Sequence, residues 1–305
     1  MKVWIPHEDG TSLLGDLPAG VTVEVAEPDR LPSPVTDVRF WVPPFLAEAD
    51  TTDLLRELPD LEVVQLLTAG ADAWAGRMPP GVTLCDARGV HDQATSEWVV
   101  AAILAHLRSF PTLVRAQDRR EWAYREVAPT DELAGKRVLI VGAGSIGTAL
   151  EARLAPFEVR LTRVARTARP GVHAVAELPR LLPEADVVVL LVPLTEQTRG
   201  LVDEGFLAAM CDGALLVNAA RGPVAQTEAL VAELGTGRIS AVLDVTDPEP
   251  LPADNPLWAM PNVLLTPHVA GSVQGLLPRA YRLVGDQIRR CAAGEPPTNV
   301  VVAGY

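Results

Sequence analysis

The chain has little cysteine, few aromatic residues, a shortage of positive charge and no long apolar run. Its 305 residues include three cysteines, Cys85, Cys211 and Cys291. They are far apart and odd in number, which excludes a disulfide framework and offers no zinc spacing, so buried free thiols are expected and no metal. Lys and Arg total 26 against 39 Asp and Glu, a formal net charge of −13. So acidic a surface argues against nucleic acid or an anionic membrane as partner. The apolar run "WVVAAILAHL" at residues 98–107 is too short to span a bilayer, and the start "MKVWIPHEDG" has no apolar core of signal-peptide length. A soluble, cytoplasmic protein is the expectation.

Hydrophobic residues make up 48% and charged residues 21%, a globular composition with enough chain for two ordinary cores. Valine-rich runs bounded by Gly, Pro and Asp read as strands: "KVWIP", "VTVEVAE", "VRFWVPP", "LEVVQLL" and "VTLCDA". A helix is expected in "AEADTTDLLRELP" and a long helical stretch over residues 93–117, broken by Pro111. The pattern then restarts with "RVLIVG", "VRLTRVA", "DVVVLLVP", "GALLVNAA", "ISAVLDV" and "NVLLTPH", helices filling most gaps. Continuous apolar runs such as "DVVVLLVP" fit strands buried on both faces of a parallel sheet. A terminal helix, "QGLLPRAYRLVGDQIRRCAAG", precedes a strand-like "TNVVVAGY". Periodicity leaves open whether that helix ends the second α/β unit or folds back onto the first.

"GAGSIG" places Gly142, Gly144 and Gly147 in G-x-G-x-x-G spacing between an apolar strand and a helix. Glycine serves three ends there: a tight turn, close approach of backbone to a pyrophosphate, and close helix–strand packing. The helix N-terminus then offers N–H groups and the positive end of its dipole. In this fold an acid about 20 residues on normally holds the ribose 2′-OH. Here the second strand ends at Ala165, 18 residues past Gly147, and Arg166, Thr167 and Arg169 follow. Guanidinium groups suit a 2′-phosphate, each charge-assisted bond contributing about 1.5–3 kcal/mol. NADP(H) is therefore the expected cofactor, with NAD(H) possible. Arg163, inside the strand, reads equally well as a phosphate ligand or as ordinary surface charge.

Downstream, polar residues follow three strands: Arg221 in "LLVNAARGPV", Asp244 and Glu249 in "AVLDVTDPEPLP", and His268 in "NVLLTPHVAGS". Ligands in open α/β sheets bind outside the carboxyl ends of the strands. An arginine can fix a substrate carboxylate and polarise its carbonyl, and a histidine can protonate the developing alkoxide. A carboxylate beside a histidine orients the ring and favours its charged form.

"GAGSIG", "VPLTEQTRGLV", "LLVNAARGPV", "LDVTDPEPLP" and "LLTPHVAG", in this order, closely resemble the D-isomer-specific 2-hydroxyacid dehydrogenases. "LEVVQLLTAGAD" resembles the family's substrate loop, so the likeness covers nearly the whole chain. It implies two doubly wound parallel-sheet α/β domains. One is a flavodoxin-like substrate domain, discontinuous over residues 1–100 and 283–305. The other is a Rossmann cofactor domain over residues 101–282.

The resemblance assigns Arg221, Glu249 and His268 to catalysis, and Ala69, Gly70 and Arg221 to substrate. For the cofactor it implies Gly142, Gly144, Ser145, Ile146 and Gly147 on the phosphates, with Val192, Pro193 and Thr198 on the adenine side. Ala219, Asp244, His268 and Gly271 would lie toward the nicotinamide, Asp244 holding its carboxamide. A homodimer is implied as well. "VARTARPGV" further resembles NADPH-dependent glyoxylate/hydroxypyruvate reductases. The activity implied is reduction of a small 2-keto acid to the D-2-hydroxy acid. The alternatives are an NAD-dependent D-hydroxyacid or phosphoglycerate-type dehydrogenase, and a nucleotide-sensing, corepressor-like binding protein. Leu67, Trp74 and Trp41 come from the segment expected to shape the substrate pocket, core packing being the stronger expectation for each Trp.

Overall fold

The computed structural model describes residues 1–26, 34–45 and 49–302, the side chains of 49–52 excepted. The chain begins with strands β1 (Lys2–Ile5), β2 (Thr22–Val25), β3 (Val38–Trp41), β4 (Val63–Gln65) and β5 (Thr83–Cys85), with a short helix α1 (Gly10–Leu13) after the first. Helices α2 (Asp92–Leu107), α3 (Phe110–Asp118) and α4 (Tyr124–Val127) lead to β6 (Arg137–Val141) and α5 (Ser145–Leu154). Next come β7 (Arg160–Ala165), β8 (His173–Ala174), α6 (Leu178–Leu181), β9 (Val187–Leu190) and α7 (Glu204–Ala209). The series closes with β10 (Leu215–Asn218), α8 (Thr227–Gly235), β11 (Ser240–Leu243), β12 (Val263–Leu265) and α9 (Leu276–Ala292).

Two compact units result, Met1–His91 with Val273–Tyr305, and Asp92–Ser272. In the first, five parallel strands run β2-β1-β3-β4-β5, the flavodoxin-like order. In the second, seven parallel strands run β12-β11-β10-β9-β6-β7-β8. Numbered from β6 this is 3-2-1-4-5-6-7, the Rossmann order with one strand added. Its switch point lies between β6 and β9, beside the glycine-rich turn. The fold is thus the expected pair of parallel-sheet α/β units. All four residues of β9 and of β10 are buried, as strands covered on both faces require.

The boundaries fall at 91/92 and 272/273, about nine residues before those expected from the sequence. Packing explains both shifts. Helix α2 is apolar nearly all round and lies against α5, so its whole length, from Asp92, joins the second unit. Helix α9 lies on α1 at backbone contact distance. A Cβ on Gly285 would fall 2.1 Å from the Leu14 carbonyl oxygen, and one on Gly10 would fall 2.3 Å from the Tyr281 ring. Its buried residues Leu276, Ala280, Val284 and Ile288 recur every four positions and, with Tyr281 beside them on the same face, join the core of the first unit.

Buried amides complete that tie. Gln65, fully buried, donates to the carbonyls of Leu66 and Asp86 and accepts from Gln287 Nε2 at 2.8 Å. Gln287 in turn accepts from Thr298 N at 2.9 Å. The strand expected in "TNVVVAGY" does not form in its described part. Its contact with β5 is one isolated antiparallel bridge, Cys85 to Val300, and residues 303–305 lie outside the described residues. The helix expected over "AEADTTDLLRELP" is a 3₁₀ helix, Ala49–Arg56, and residues 46–48 are not described. Adjacent threonines, weak helix formers, and Pro59 keep it short. Pro111 starts α3 rather than breaking a helix. The break is at Ser109, with φ of 54°, and the proline sits in the first turn of the new helix, where its missing N–H costs nothing.

Trp41 and Trp74 are buried and meet edge to face, ring centroids 5.7 Å apart, and Leu67 is buried in the adjoining core. The two indoles therefore pack the core. Cys85 is buried and its thiol is pushed up to about 12 by burial, while Cys211 Sγ donates to the Ala185 carbonyl. Among the described residues no single helix is long and apolar enough to cross a membrane.

Candidate active site

The glycine turn between β6 and α5 is built by close approach. Gly142 has φ of +122°, and a Cβ there would lie 2.5 Å from the Leu191 backbone. A Cβ on Gly147 would lie 2.2 Å from the Gly142 carbonyl oxygen. Gly144 has open space around it and is the N-cap of α5, with no side-chain cap on the helix N–H groups. These are the conditions a pyrophosphate needs: a cradle that side chains would fill, and uncapped N–H groups at the positive end of a ten-residue helix. The residues present fit a dinucleotide. Ser145 turns its hydroxyl to the Asp92 carboxylate, which leaves the backbone of Ser145 and Ile146 as what this turn offers a phosphate.

Beyond β7 the arginines separate into different environments. Arg163 donates to Glu151 at 2.6 Å and to the Gly171 carbonyl at 3.4 Å, so it ties β7 to α5. Arg166, Thr167 and Arg169 are exposed. Arg169 donates to the Ala143 carbonyl at 2.6 Å, which carries its guanidinium onto the glycine turn itself. After β9, Thr198 closes a tight loop, donating to the Pro193 carbonyl at 2.6 Å and accepting from Thr195 N at 2.8 Å. Val192, just before that loop, is half-buried.

Arg221, Asp244 and His268 all follow parallel strands of one sheet and so share its carboxyl edge. Asn218 shapes the turn to Arg221: its side chain accepts from Ala220 N at 3.0 Å and donates to the Arg221 carbonyl at 3.2 Å. Arg221 Nη1 donates to the Ala220 carbonyl at 2.8 Å. Gly222 lets this turn touch the next one, since a Cβ there would lie 1.8 Å from the Thr246 carbonyl oxygen. The loop carrying Glu249 is held further by Thr227, whose hydroxyl donates to the Asp247 carbonyl at 2.6 Å.

His268 Nδ1 and Glu249 Oε1 stand 2.7 Å apart, and both side chains are partly open to solvent. Asp244, 2% exposed, accepts from Thr266 Oγ1 at 2.6 Å, Val269 N at 2.9 Å and Ala270 N at 2.8 Å. Gly271 follows this loop, and Ala219 stands half-buried just past β10. In the first unit, Ala69 and Gly70 lie in the turn after β4. There the Thr68 hydroxyl donates to the Gly70 carbonyl at 2.7 Å, and His91 Nε2 lies 3.0 Å from the Leu67 carbonyl oxygen.

Several contributors are invisible to motif reading. Asp92 reaches Ser145 across 53 positions, and Glu151 reaches Arg163 from the neighbouring helix. Thr266 lies inside the quoted "LLTPH", but only the fold reveals its partner.

Residues 100–270 match the family "D-isomer specific 2-hydroxyacid dehydrogenase, NAD binding domain". A glyoxylate reductase of Thermofilum pendens is 33% identical over 84% of this chain and 79% of its own length. A D-isomer specific 2-hydroxyacid dehydrogenase from Xanthobacter autotrophicus Py2, solved in complex with NADPH and MES, superposes with a TM-score of 0.85 at 33% identity over the full length of both chains. An NADPH-dependent glyoxylate/hydroxypyruvate reductase from Sinorhizobium meliloti, solved with NADP and sulfate, gives a TM-score of 0.85 at 28% identity, covering 100% of this chain and 99% of that one. The chain belongs to the D-isomer specific 2-hydroxyacid dehydrogenases, oxidoreductases that act on small 2-hydroxy or 2-keto acids with a nicotinamide nucleotide.

Proposed function

We propose that this protein is an NADPH-dependent reductase that converts a small 2-keto acid, of the glyoxylate or hydroxypyruvate type, to the D-2-hydroxy acid. The observation that carries the reading is the 2.7 Å contact between His268 and Glu249 on the same sheet edge as Arg221. When bound, the dihydronicotinamide supplies the hydride that the keto carbon accepts. Arg221 binds the substrate carboxylate and polarises the carbonyl, a role for which a planar, always-charged fork is suited. The resemblance gives the backbone N–H groups of Ala69 and Gly70 a part in binding substrate as well. Glu249 accepts a hydrogen bond from Nδ1–H of His268 and favours the charged ring, so that Nε2–H gives its proton to the forming alkoxide.

The glycine turn holds the pyrophosphate, and Val192, Pro193 and Thr198 border the adenine. Ala219 and Gly271 border the nicotinamide. Two features support NADPH over NADH. Ala165 ends β7 where an acid would hold a 2′-OH, and the exposed Arg166 follows it. Two of the similar structures hold NADPH or NADP, which agrees with that choice.

The test is oxidation of NADPH and NADH, side by side, with glyoxylate, hydroxypyruvate and bulkier keto acids. Turnover of the small acids with NADPH and its loss by orders of magnitude in His268→Ala, with NADPH binding retained, is the expected result. Tight nucleotide binding without turnover of any acid would favour a sensor instead.

A further inference from the structure

His268 has φ of +54°, in the left-handed region that is uncommon for residues other than glycine, although His, Asn and Asp enter it more readily than most. Such a conformation persists only where the surroundings impose it. Here Asp244 supplies most of the contacts, beside the Thr266 carbonyl, which also accepts from His268 N at 3.1 Å. The Asp244 carbonyl accepts from His268 N at 2.7 Å, and Asp244 Oδ1 accepts from Thr266 Oγ1 at 2.6 Å and Val269 N at 2.9 Å. Asp244 Oδ2 accepts from Ala270 N at 2.8 Å. Every residue from 266 to 270 is thus held except Pro267, which has no N–H to give.

Three donors occupy most of the four lone-pair positions of a carboxylate. Asp244 is also nearly sealed from solvent, so water cannot replace a lost bond. We propose that Asp244 is a positioning residue. Its carboxylate builds the left-handed turn that sets His268 against Glu249, and this, rather than a bond to the cofactor carboxamide, is its main contribution to turnover. An asparagine could not do the same work. It has one oxygen, so in either orientation its NH₂ would face a backbone N–H, that of Ala270 or that of Val269, donor against donor.

The proposal rests on His268 as the acid, and its test includes a readout that does not. Asp244→Asn, Asp244→Ala, Thr266→Val and Thr266→Ser would be compared with wild type and His268→Ala. Three quantities are read. They are kcat at saturating nucleotide, nucleotide binding by fluorescence for NADPH and for its reduced 3-acetylpyridine analogue, and the His268 imidazole NMR signals of the free protein. The analogue carries no amide N–H, so it cannot donate to a carboxylate.

For Asp244→Asn the expected result is a kcat lower by on the order of 100-fold with either nucleotide, the scale of a misplaced general acid. Binding of both nucleotides should change less than about twofold, and the His268 signals should move. Thr266→Val should shift kcat and the signals in the same direction by less, and Thr266→Ser should restore them. Unmoved His268 signals in Asp244→Asn would overturn the proposal. So would an Asp244→Asn variant that binds NADPH far more weakly, binds the analogue normally and keeps kcat at saturation. If His268→Ala itself retains turnover, the reading of the reaction fails, while the NMR signals still decide what Asp244 positions.

Discussion

Arg169 Nη2 lies 2.6 Å from the Ala143 carbonyl oxygen, so one arginine of the β7 exit is bonded to the glycine turn while Arg166, three residues earlier, is exposed. The two should therefore behave differently. Arg166→Ala should raise the KM for NADPH by about tenfold or more, the scale of one lost charge-assisted bond, and leave that for NADH within about twofold. Arg169→Ala removes a brace on the turn that any nicotinamide dinucleotide must use, so both KM values should rise. Equal effects of Arg166→Ala on the two nucleotides would show that this arginine does not meet the 2′-phosphate.

Glu249 offers His268 both an acceptor and a negative charge. Glu249→Gln keeps an oxygen that can accept from Nδ1 and removes the charge, whereas Glu249→Ala removes both. Turnover should fall about tenfold in the first and about 100-fold in the second, within the range contributed by positioned acid–base groups. Nucleotide binding, measured by fluorescence, should stay at the wild-type value in each.

Gly222 predicts a structural effect with a catalytic consequence. An added Cβ would meet Thr246 O at 1.8 Å, Thr246 C at 2.2 Å and Asp247 N at 2.8 Å. These are backbone atoms, so the loop carrying Glu249 must move. Gly222→Ala should cost about 1–3 kcal/mol, as overpacking does, and lower kcat together with the melting temperature. Gly235→Ala is the control. It ends α8 with nothing within 4 Å of an added Cβ, and should be neutral or slightly stabilising.

The chemistry was legible wherever it is local in sequence. "DVVVLLVP" becomes β9 because Val and Leu on both faces suit a doubly covered strand, and "GAGSIG" carries its own structural reason in each glycine. The parallel direction of β10, β11 and β12 puts Arg221, Asp244 and His268 on one edge, which alternation of strands and helices already implied. What escaped depends on distant partners. The two-residue strand β8 exists because Val164 and Ala165 pair with it, a ladder too short to leave a pattern. Arg163 reads as a possible phosphate ligand until Glu151 is seen beside it. The three loop donors to Asp244 lie 22 to 26 residues away and two of them are backbone N–H groups, so no side-chain pattern announces them.

The proposed homodimer has a checkable surface in the second unit. Trp122 is 95% exposed and Tyr124 69%, with Phe110 and Val114 on α3 also more than half exposed. Large apolar side chains so open are uncommon unless something covers them. Sedimentation should give about twice the 32.5 kDa chain mass. Trp122→Ala combined with Val114→Glu should move the distribution toward monomer. A monomeric wild type at micromolar concentration would exclude this assembly.

His106, in the last turn of α2, predicts how stability follows pH. Burial lowers its pKa from the ordinary 6.5, opposed by the nearby charge of Asp131, and burial lowers His7 in the same way. Below pH 6.5 the unfolded chain takes up protons that the folded chain refuses. The unfolded state therefore gains, and stability falls as pH drops from 6.5 toward the lower folded values. The lowered carboxyls, such as Asp186 hydrogen-bonded by Arg137, lose their contribution only as pH falls below the ordinary 3.8 and through their folded values, a separate window. Melting temperature should thus decline between pH 7.5 and 5.5, with part of the decline removed in His106→Gln. A slope unchanged by that substitution, in a variant that folds and binds NADPH normally, would show that His106 is not among the groups responsible.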